Sequence, residues 1–461
     1  MKWWRARTQR PRDRGVALLI VITWLALMIA LVGEFTFGTT VDVAEAANAR
    51  DELRAHYMAR SSVNLARLLI KIQSKFVDPV MAQAQQMLKS SMNTGAGGAS
   101  GSSSSGAAGG GLGISLRITD YADMLMGFFS GSKDEAQSLG SLIGLDLTNA
   151  KGLGMKSGRF DAEIKAEDGK IDLNCAAGYH TRDNQKVIYR LLLGLFYSQR
   201  YDRLFSESDK GGQFNARSDV ARALIDFADV DPTMFSFDGS TAGSTEDDHY
   251  DSNPKDKYRP HNNSYDSLEE ILQVRGITDG FMQAFGPYLT VYPGNDKTCR
   301  INLGTISNRE ADCAPLVMGV IRAAAMGSQT KLATVDPTIL DDLKLFPIAT
   351  VLCDRASSGG FDSIATVMSV LQKPESAVLN DDPRYRVLQG LRPLTITQAD
   401  LDAVAYVGNP RTYRVIATGE SGKVKKKITA IVDTGRVIEN PMTLNPASEQ
   451  AAGVLQYWRE E

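Results

Sequence analysis

The sequence predicts an α+β fold: a very long N-terminal helix lying on an antiparallel sheet, with a large helical domain inserted between the sheet's strands. Three observations predict it. An uncharged apolar run from Val16 to Val32 passes directly into an amphipathic stretch that ends near Ser74. Hairpin-like alternation of apolar and polar residues occurs twice, at 159–174 and at 412–434. Between the two lie roughly two hundred residues in which the apolar spacing is helical instead.

The N-terminal helix comes first. Lys2, Arg5, Arg7, Arg10, Arg12 and Arg14 precede the apolar run, with Asp13 the only acid among them. That asymmetry keeps the first residues in the cytoplasm and exports the chain beyond Glu34. A removable signal peptide carries a small-x-small cleavage site close behind a shorter apolar core. Ala44-Glu45-Ala46 has that form but lies too far beyond the run, so an uncleaved single-pass anchor is the simpler reading. The apolar run is at the short end of what spans a hydrocarbon core, and continuation past Gly33 lengthens it. From Val16 to about Ser74 the helix would measure about 88 Å at 1.5 Å per residue. In its distal half, Arg50, Asp51, Glu52, Arg54, Arg60 and Arg67 mix with Leu53, Met58, Val63, Leu65, Leu68 and Leu69. The apolar members form the stripe expected to lie on the sheet.

The segment 93–113 is glycine and serine with almost nothing to bury, and is expected to be a flexible surface linker. Weak order is expected over 112–153, with a short helix at Tyr121–Phe129. Residues 159–174 alternate around Glu167-Asp168-Gly169, which predicts a hairpin with an Asp-Gly turn. Residues 412–434 predict a second hairpin around Gly419–Gly422, and 454–461 a closing strand.

The segments QKVIYRLLLGLFYSQRY, SDVARALIDFAD, SLEEILQVRG, APLVMGVIRAAA and FDSIATVMSVLQ predict helices in the intervening region. Ser267 and Glu270 form a capping-box pattern, and Val274-Arg275-Gly276-Ile277 resembles the turn of a helix-hairpin-helix. Such turns often bind nucleic-acid phosphates. The net charge of −3 and the acidic surroundings argue against a nucleic-acid partner and for a packing role.

Cys175, Cys299, Cys313 and Cys353 have no C-x-x-C spacing. In an oxidising compartment an even number suggests disulfides, and four cysteines allow three connectivities. Sequence proximity favours Cys299 with Cys313, which leaves Cys175 with Cys353, and buried free thiols remain an alternative. His56, His180, His249 and His261 have no metal-ligand spacing, and no nucleophile elbow, zinc-protease or phosphate-loop motif is present. A non-enzymatic protein is therefore expected.

One acidic constellation stands out: Asp226, Asp229 and Asp231, then Glu246, Asp247, Asp248 and Asp251, with Asn262, Asn263 and Asp266 further on. Such a loop could wrap a calcium ion, which takes 6 to 8 oxygens, although the EF-hand pattern is absent. By composition alone an ordinary solvated loop is the favoured alternative.

Arg14-Gly15 followed directly by the apolar run resembles the leader of type IV pilins and pseudopilins. That family's prepilin peptidase cuts after the glycine, so the resemblance implies a mature N-terminus at Val16. The family's usual glutamate at the fifth mature position is Ile20 here. This departure is the habit of the K-type minor pseudopilin of type II secretion, which has no subunit above it whose amine would pair with a carboxylate in the bilayer. Further stretches resemble the family in order along the chain. RDELRAHYMARSSVNLARLL (50–69) is similar to its helix continuation, and KIDLNCAAG (170–178) to its K-I-N-L-N strand. LIDFADVD (224–231) is similar to L-I-D-W-I-D-x-D. YRPHNNSYDSLEEILQVRGIT (258–278) and the final QYWREE (456–461) also have family counterparts. The glycine-serine segment and residues 325–360 do not resemble the family's core.

The resemblance implies a pilin-like head with a SAM-like helical insertion. Its expected parts are a leader (1–15), a transmembrane and amphipathic helix (16–75), the linker (93–113) and the first part of the head (114–181). Last come the inserted helical domain (182–394) and the final head strands (395–461). It implies a single-pass inner-membrane protein with a large periplasmic domain, capping the tip of the type II secretion pseudopilus. There it would seed assembly with I-type and J-type minor pseudopilins. It also implies calcium, with Asp229, Asp231, Glu246 and Asp247 at the matching positions. The alternatives are a type IV pilus minor pilin and, further off, a membrane-anchored periplasmic hydrolase with a calcium-stabilised loop.

Overall fold

The computed structural model describes residues 13–80, 83, 119, 122, 125–126, 158–177, 182–208, 215–237, 245–246, 250, 258–292, 297–306, 312–327, 336–358, 360–361, 363–374, 393–435 and 453–461. The glycine-serine segment and most of 112–153 lie outside these residues, as do His180, Asp247 and His249.

Helix α1 runs Asp13–Ile72, 60 residues, and continues through a π-turn at Gln73–Val77. Among the described residues nothing packs on its N-terminal half: the apolar side chains from Val16 to Val32 are exposed. It is the one helix among the described residues that is long and apolar enough to cross a membrane. Threonines along it return their hydroxyls to the helix, Thr23 to the Ile20 carbonyl at 2.9 Å and Thr36 to that of Val32 at 2.7 Å. A hydroxyl satisfied in this way adds little cost in an apolar environment.

The second half of α1 lies on a four-stranded antiparallel sheet. Its strands, in spatial order, are β1 (Arg159–Ala166), β6 (Thr412–Ser421), β7 (Val424–Asp433) and β8 (Val454–Glu460). Ala59, Val63, Ala66 and Ile70, at spacings of four, three and four residues, face Phe160, Ala162, Ile164, Val415, Ala417 and Val432. The buried stripe joins Ala55, Ala59 and Ala66 to Val63, Leu69 and Ile70, with Met58 and Leu65 partly buried against it. Leu53 and Leu68, expected in it, are 59% and 48% exposed. The reason is proximity, since the helix backbone lies too close to β6 for large side chains between them. At Gly419 an added Cβ would come within 2.1 Å of the Ala55 carbonyl oxygen.

The hairpin β6–β7 forms as its alternation predicts, with Gly422 at positive φ in the turn. The closing strand β8 pairs with β7 across an irregularity at Ile431/Val432. The hairpin expected at 159–174 does not form. Strand β1 pairs antiparallel with β6, Ala162 opposite Ala417, while β2 (Ile171–Asp172) pairs in parallel with β3 (Leu289–Thr290). Glu167 and Asp168 divert the chain. The Asp168 carboxylate accepts from the backbone amides of Arg411 at 2.6 Å and Thr412 at 3.0 Å. Buried Glu167 accepts from Arg414 at 2.6 Å and pairs with Lys170 at 3.2 Å. Both carboxylates answer groups at the start of β6, so Asp-Gly marks a crossing point, not a hairpin turn.

The helical body fills the chain between β1 and β6, two neighbouring strands, so it is an insertion into one sheet edge pair. The parallel pair of β4 (Ile301–Asn302) with β5 (Ala405–Tyr406) ties its exit. Its principal helices are α2 (Arg182–Phe196), α3 (Arg217–Asp226), α4 (Asp279–Phe285), α5 (Ala314–Met326), α6 (Asp342–Ser358), α7 (Ile364–Gln372) and α8 (Gln398–Asp402). One continuous apolar core unites them, with Ile188, Leu192, Phe196, Phe281, Phe285 and Ile321 among its fully buried members. Helices α2 and α5 cross at glycine against glycine: a Cβ on Gly194 would meet the Gly319 carbonyl oxygen at 2.2 Å. The Ser267 capping box does not form: the Glu270 carboxylate accepts from the Asp266 amide at 3.0 Å in place of the Ser267 amide, the Ser267 hydroxyl caps nothing, and the segment is a 3₁₀-helix, Leu268–Gln273.

Two disulfides clamp the body, and they are not the pairing that sequence proximity favours. Cys175 joins Cys299 and Cys313 joins Cys353. Cys299 and Cys313 are separated by β4, which runs off to pair with β5. Cys299 therefore meets the turn bearing Cys175, while Cys313, at the N-cap of α5, meets α6.

Candidate metal centre

The acidic constellation condenses into a buried group of three. Asp226 closes α3, and the chain keeps turning: the Asp229 amide donates to the Ile225 carbonyl at 3.1 Å. The spacing of three residues puts both carboxylates on one side of this helix end. The chain then leaves through Pro232 and returns in a short antiparallel bridge, Thr233 to Thr245, with the Glu246 amide donating to the Pro232 carbonyl at 3.3 Å. That return brings Glu246 to the helix end. One carboxylate oxygen from each of Asp226, Asp229 and Glu246 lies within 4.8 Å of the others, and all three residues are buried.

The electrostatics are unfavourable to three bare charges. Burial, then the charges of Asp226 and Asp231, push the Asp229 carboxyl up to about 8. Burial likewise pushes Asp226 up to about 7, against the pull of the Phe235 amide, which donates to Asp226 at 2.7 Å. Asp229 takes a hydrogen bond from Gln185 on Oδ2 at 2.9 Å, while its Oδ1 is buried with no donor. Close by, Asn262 donates its backbone amide to the Phe227 carbonyl at 2.9 Å from a left-handed conformation, and its side-chain oxygen is also buried without a donor. Three carboxylate oxygens within this spread suit an ion coordinated at 2.3–2.6 Å, and an acceptor without a donor suits a cation better than a proton donor. The residues fit such an ion.

Of the four positions that the family resemblance implies, Asp229 and Glu246 come together here. Asp231 stands at the edge of the group. Its carboxylate accepts from the Thr233 amide at 2.9 Å and from the Thr233 hydroxyl. Asp247 lies outside the described residues. Asp226 is the member that the four positions leave out. Its signal was the i, i+3 relation to Asp229, which reads equally well as the polar edge of an amphipathic helix. Gly15 and Val16 are exposed on α1, at the start of its apolar half.

No family model matches the sequence, and no curated protein matches it. Among solved structures the chain is similar to one in the crystal structure of the GspK-GspI-GspJ complex from the enterotoxigenic Escherichia coli type 2 secretion system. The TM-score is 0.40 and the identity 11%, over 82% of this chain and 99% of that chain.

Proposed function

We propose that this chain is a minor pseudopilin of the K type, anchored in the inner membrane by the apolar half of α1 with its head in the periplasm. It caps the tip of a type II secretion pseudopilus and seeds assembly with I-type and J-type minor pseudopilins. Its role is structural, not catalytic. The observation that carries this reading is the division of α1: one continuous helix is bare and apolar along its first half and packed on an antiparallel sheet along its second. The ordered series of family-like segments, from Arg14-Gly15 to the final QYWREE, supports it. So does the bulk of the helical insertion, which is easier to accommodate once at an end than repeatedly along a shaft.

In this reading calcium ties the loop to the end of α3, held by Asp229, Glu246 and Asp226, with Asp231 and Asp247 as further donors from the same segment. The ion would supply only charge neutralisation and a cross-link.

Processing tests the reading. Intact-mass analysis of the protein extracted from membranes should give a chain beginning at Val16, and Gly15→Leu should leave the leader attached and block assembly. A chain that begins at Met1, or after Ala46, counts against it.

A further inference from the structure

Asp342, Leu343, Phe346 and Pro347, within the stretch that does not resemble the family's core, supply one wall of a cleft in the helical body. The cleft has a volume of about 200 Å³ and lies between the C-terminal end of α2, the face of α5 and the first turns of α6. Its floor is closed and neutral. Arg322 is buried, donates to the Ile339 carbonyl at 3.2 Å and pairs with Asp342, whose other oxygen accepts from the Ser198 hydroxyl at 2.6 Å. Its walls include Leu195, Met318 and Phe346.

The mouth is different in character. Leu343 is 85% exposed and Phe346 42%, two large apolar side chains one helical turn apart that nothing in the fold covers among the described residues. Pro347 lies inside α6 and has no amide hydrogen, so it cannot bond the Leu343 carbonyl four residues before it. The Leu343 carbonyl therefore lacks its regular helical donor. Arg200 also lines the cleft, exposed and set against its neighbour Tyr201 at 5.4 Å, with no ion pair among the described residues. The rim thus combines an apolar ledge, an acceptor and a positive charge.

Size decides what such a site takes. Pockets for cofactors and drug-sized ligands usually measure about 300–1,000 Å³, so this cleft is small for them. It is the right scale for an anchor side chain of the kind that fills a pocket at the centre of a protein interface. We propose that this cleft is a docking site for a short peptide segment of a partner protein. The segment inserts one bulky apolar side chain between Met318 and Phe346, donates a backbone N–H to the Leu343 carbonyl, and places a carboxylate on Arg200. The proposal is independent of the secretion reading, because it rests on the cleft alone.

The test pans a display library of short random peptides against the full chain in lipid nanodiscs, then titrates the enriched peptides as synthetic material. Enriched sequences should carry Leu, Phe or Met within a few residues of Asp or Glu. Arg200→Glu and Leu343→Asp, both exposed substitutions that leave the core intact, should each weaken binding about tenfold or more. Met318→Trp, which fills the cleft, should abolish it. Absence of enrichment, enrichment without an apolar–acidic pair, or unchanged affinity in either surface variant would overturn the proposal.

Discussion

Gly419 of β6 sits directly under the Ala55 carbonyl of α1, so close that a methyl group there would come within 2.1 Å of the oxygen. This contact sets how closely the long helix approaches the sheet. An alanine face on the helix and a glycine on the strand let two backbones approach, and dispersion contacts along the whole seam depend on that approach. Gly419→Leu must lift the helix off the sheet. It should cost about 3 kcal/mol, at the upper end for overpacking. Chemical denaturation of the full chain in detergent would measure it, and a loss below about 0.5 kcal/mol would mean that the seam yields freely.

Glu167 fastens the helical body to the sheet, and its protonation should release it. Burial alone would raise this carboxyl, but the charges of Lys170 and Arg414 outweigh burial and hold it near 2, down from 4.5. A carboxyl depressed in the folded state contributes stability that is fully present above its unfolded pKa and is lost as pH falls through the folded one. The window therefore runs from about 4.5 down to about 2, and the contribution is about 3 kcal/mol. Glu167→Gln should be less stable than the parent at neutral pH, and the two should converge in strong acid. Urea titrations across that range that stay parallel would contradict the assignment.

The candidate metal centre has the opposite sign. Without an ion, a carboxyl raised to about 8 at Asp229 favours the protonated folded state, so stability should fall as pH climbs from the ordinary carboxylate range towards 8. Asp229→Asn removes that residue's share of the slope, while Asp226, raised to about 7, keeps its own, and the variant should be more stable than the parent in chelator at mildly alkaline pH. Calcium should raise the melting temperature of the parent by linkage to the folded state and leave Asp229→Asn unchanged. Equal melting temperatures of the parent with calcium and with chelator would return the group to an ordinary acidic loop.

What the sequence discloses depends on how local the cause is. The extent of α1, the hairpin β6–β7 and the closing strand are legible because apolar period and turn residues act within a few positions. The partner of β1 is not, since Ala162 opposes Ala417 and only tertiary contacts of Glu167 and Asp168 reveal the crossing. The helix face misleads for a related reason. A search for large apolar residues finds Val63 and Leu69, which are buried, but also picks the exposed Leu53 and Leu68, whereas the close approach at Gly419 selects Ala55 and Ala59. Cysteine pairing fails by the same rule, because nearness in sequence says nothing once β4 carries the intervening chain elsewhere. At the candidate metal centre the acidic run is visible in composition, but the return of Glu246 to Asp226 depends on the bridge from Thr233 to Thr245.

The role proposed for this chain turns on a single copy at the end of a filament. One surface label on the chain, through an added cysteine or an epitope on the exposed helical body, makes that countable by electron microscopy of assembled pseudopili. One label per filament, at one end, is expected, with filaments that start poorly when the chain is absent. Labels repeated along the shaft would contradict it.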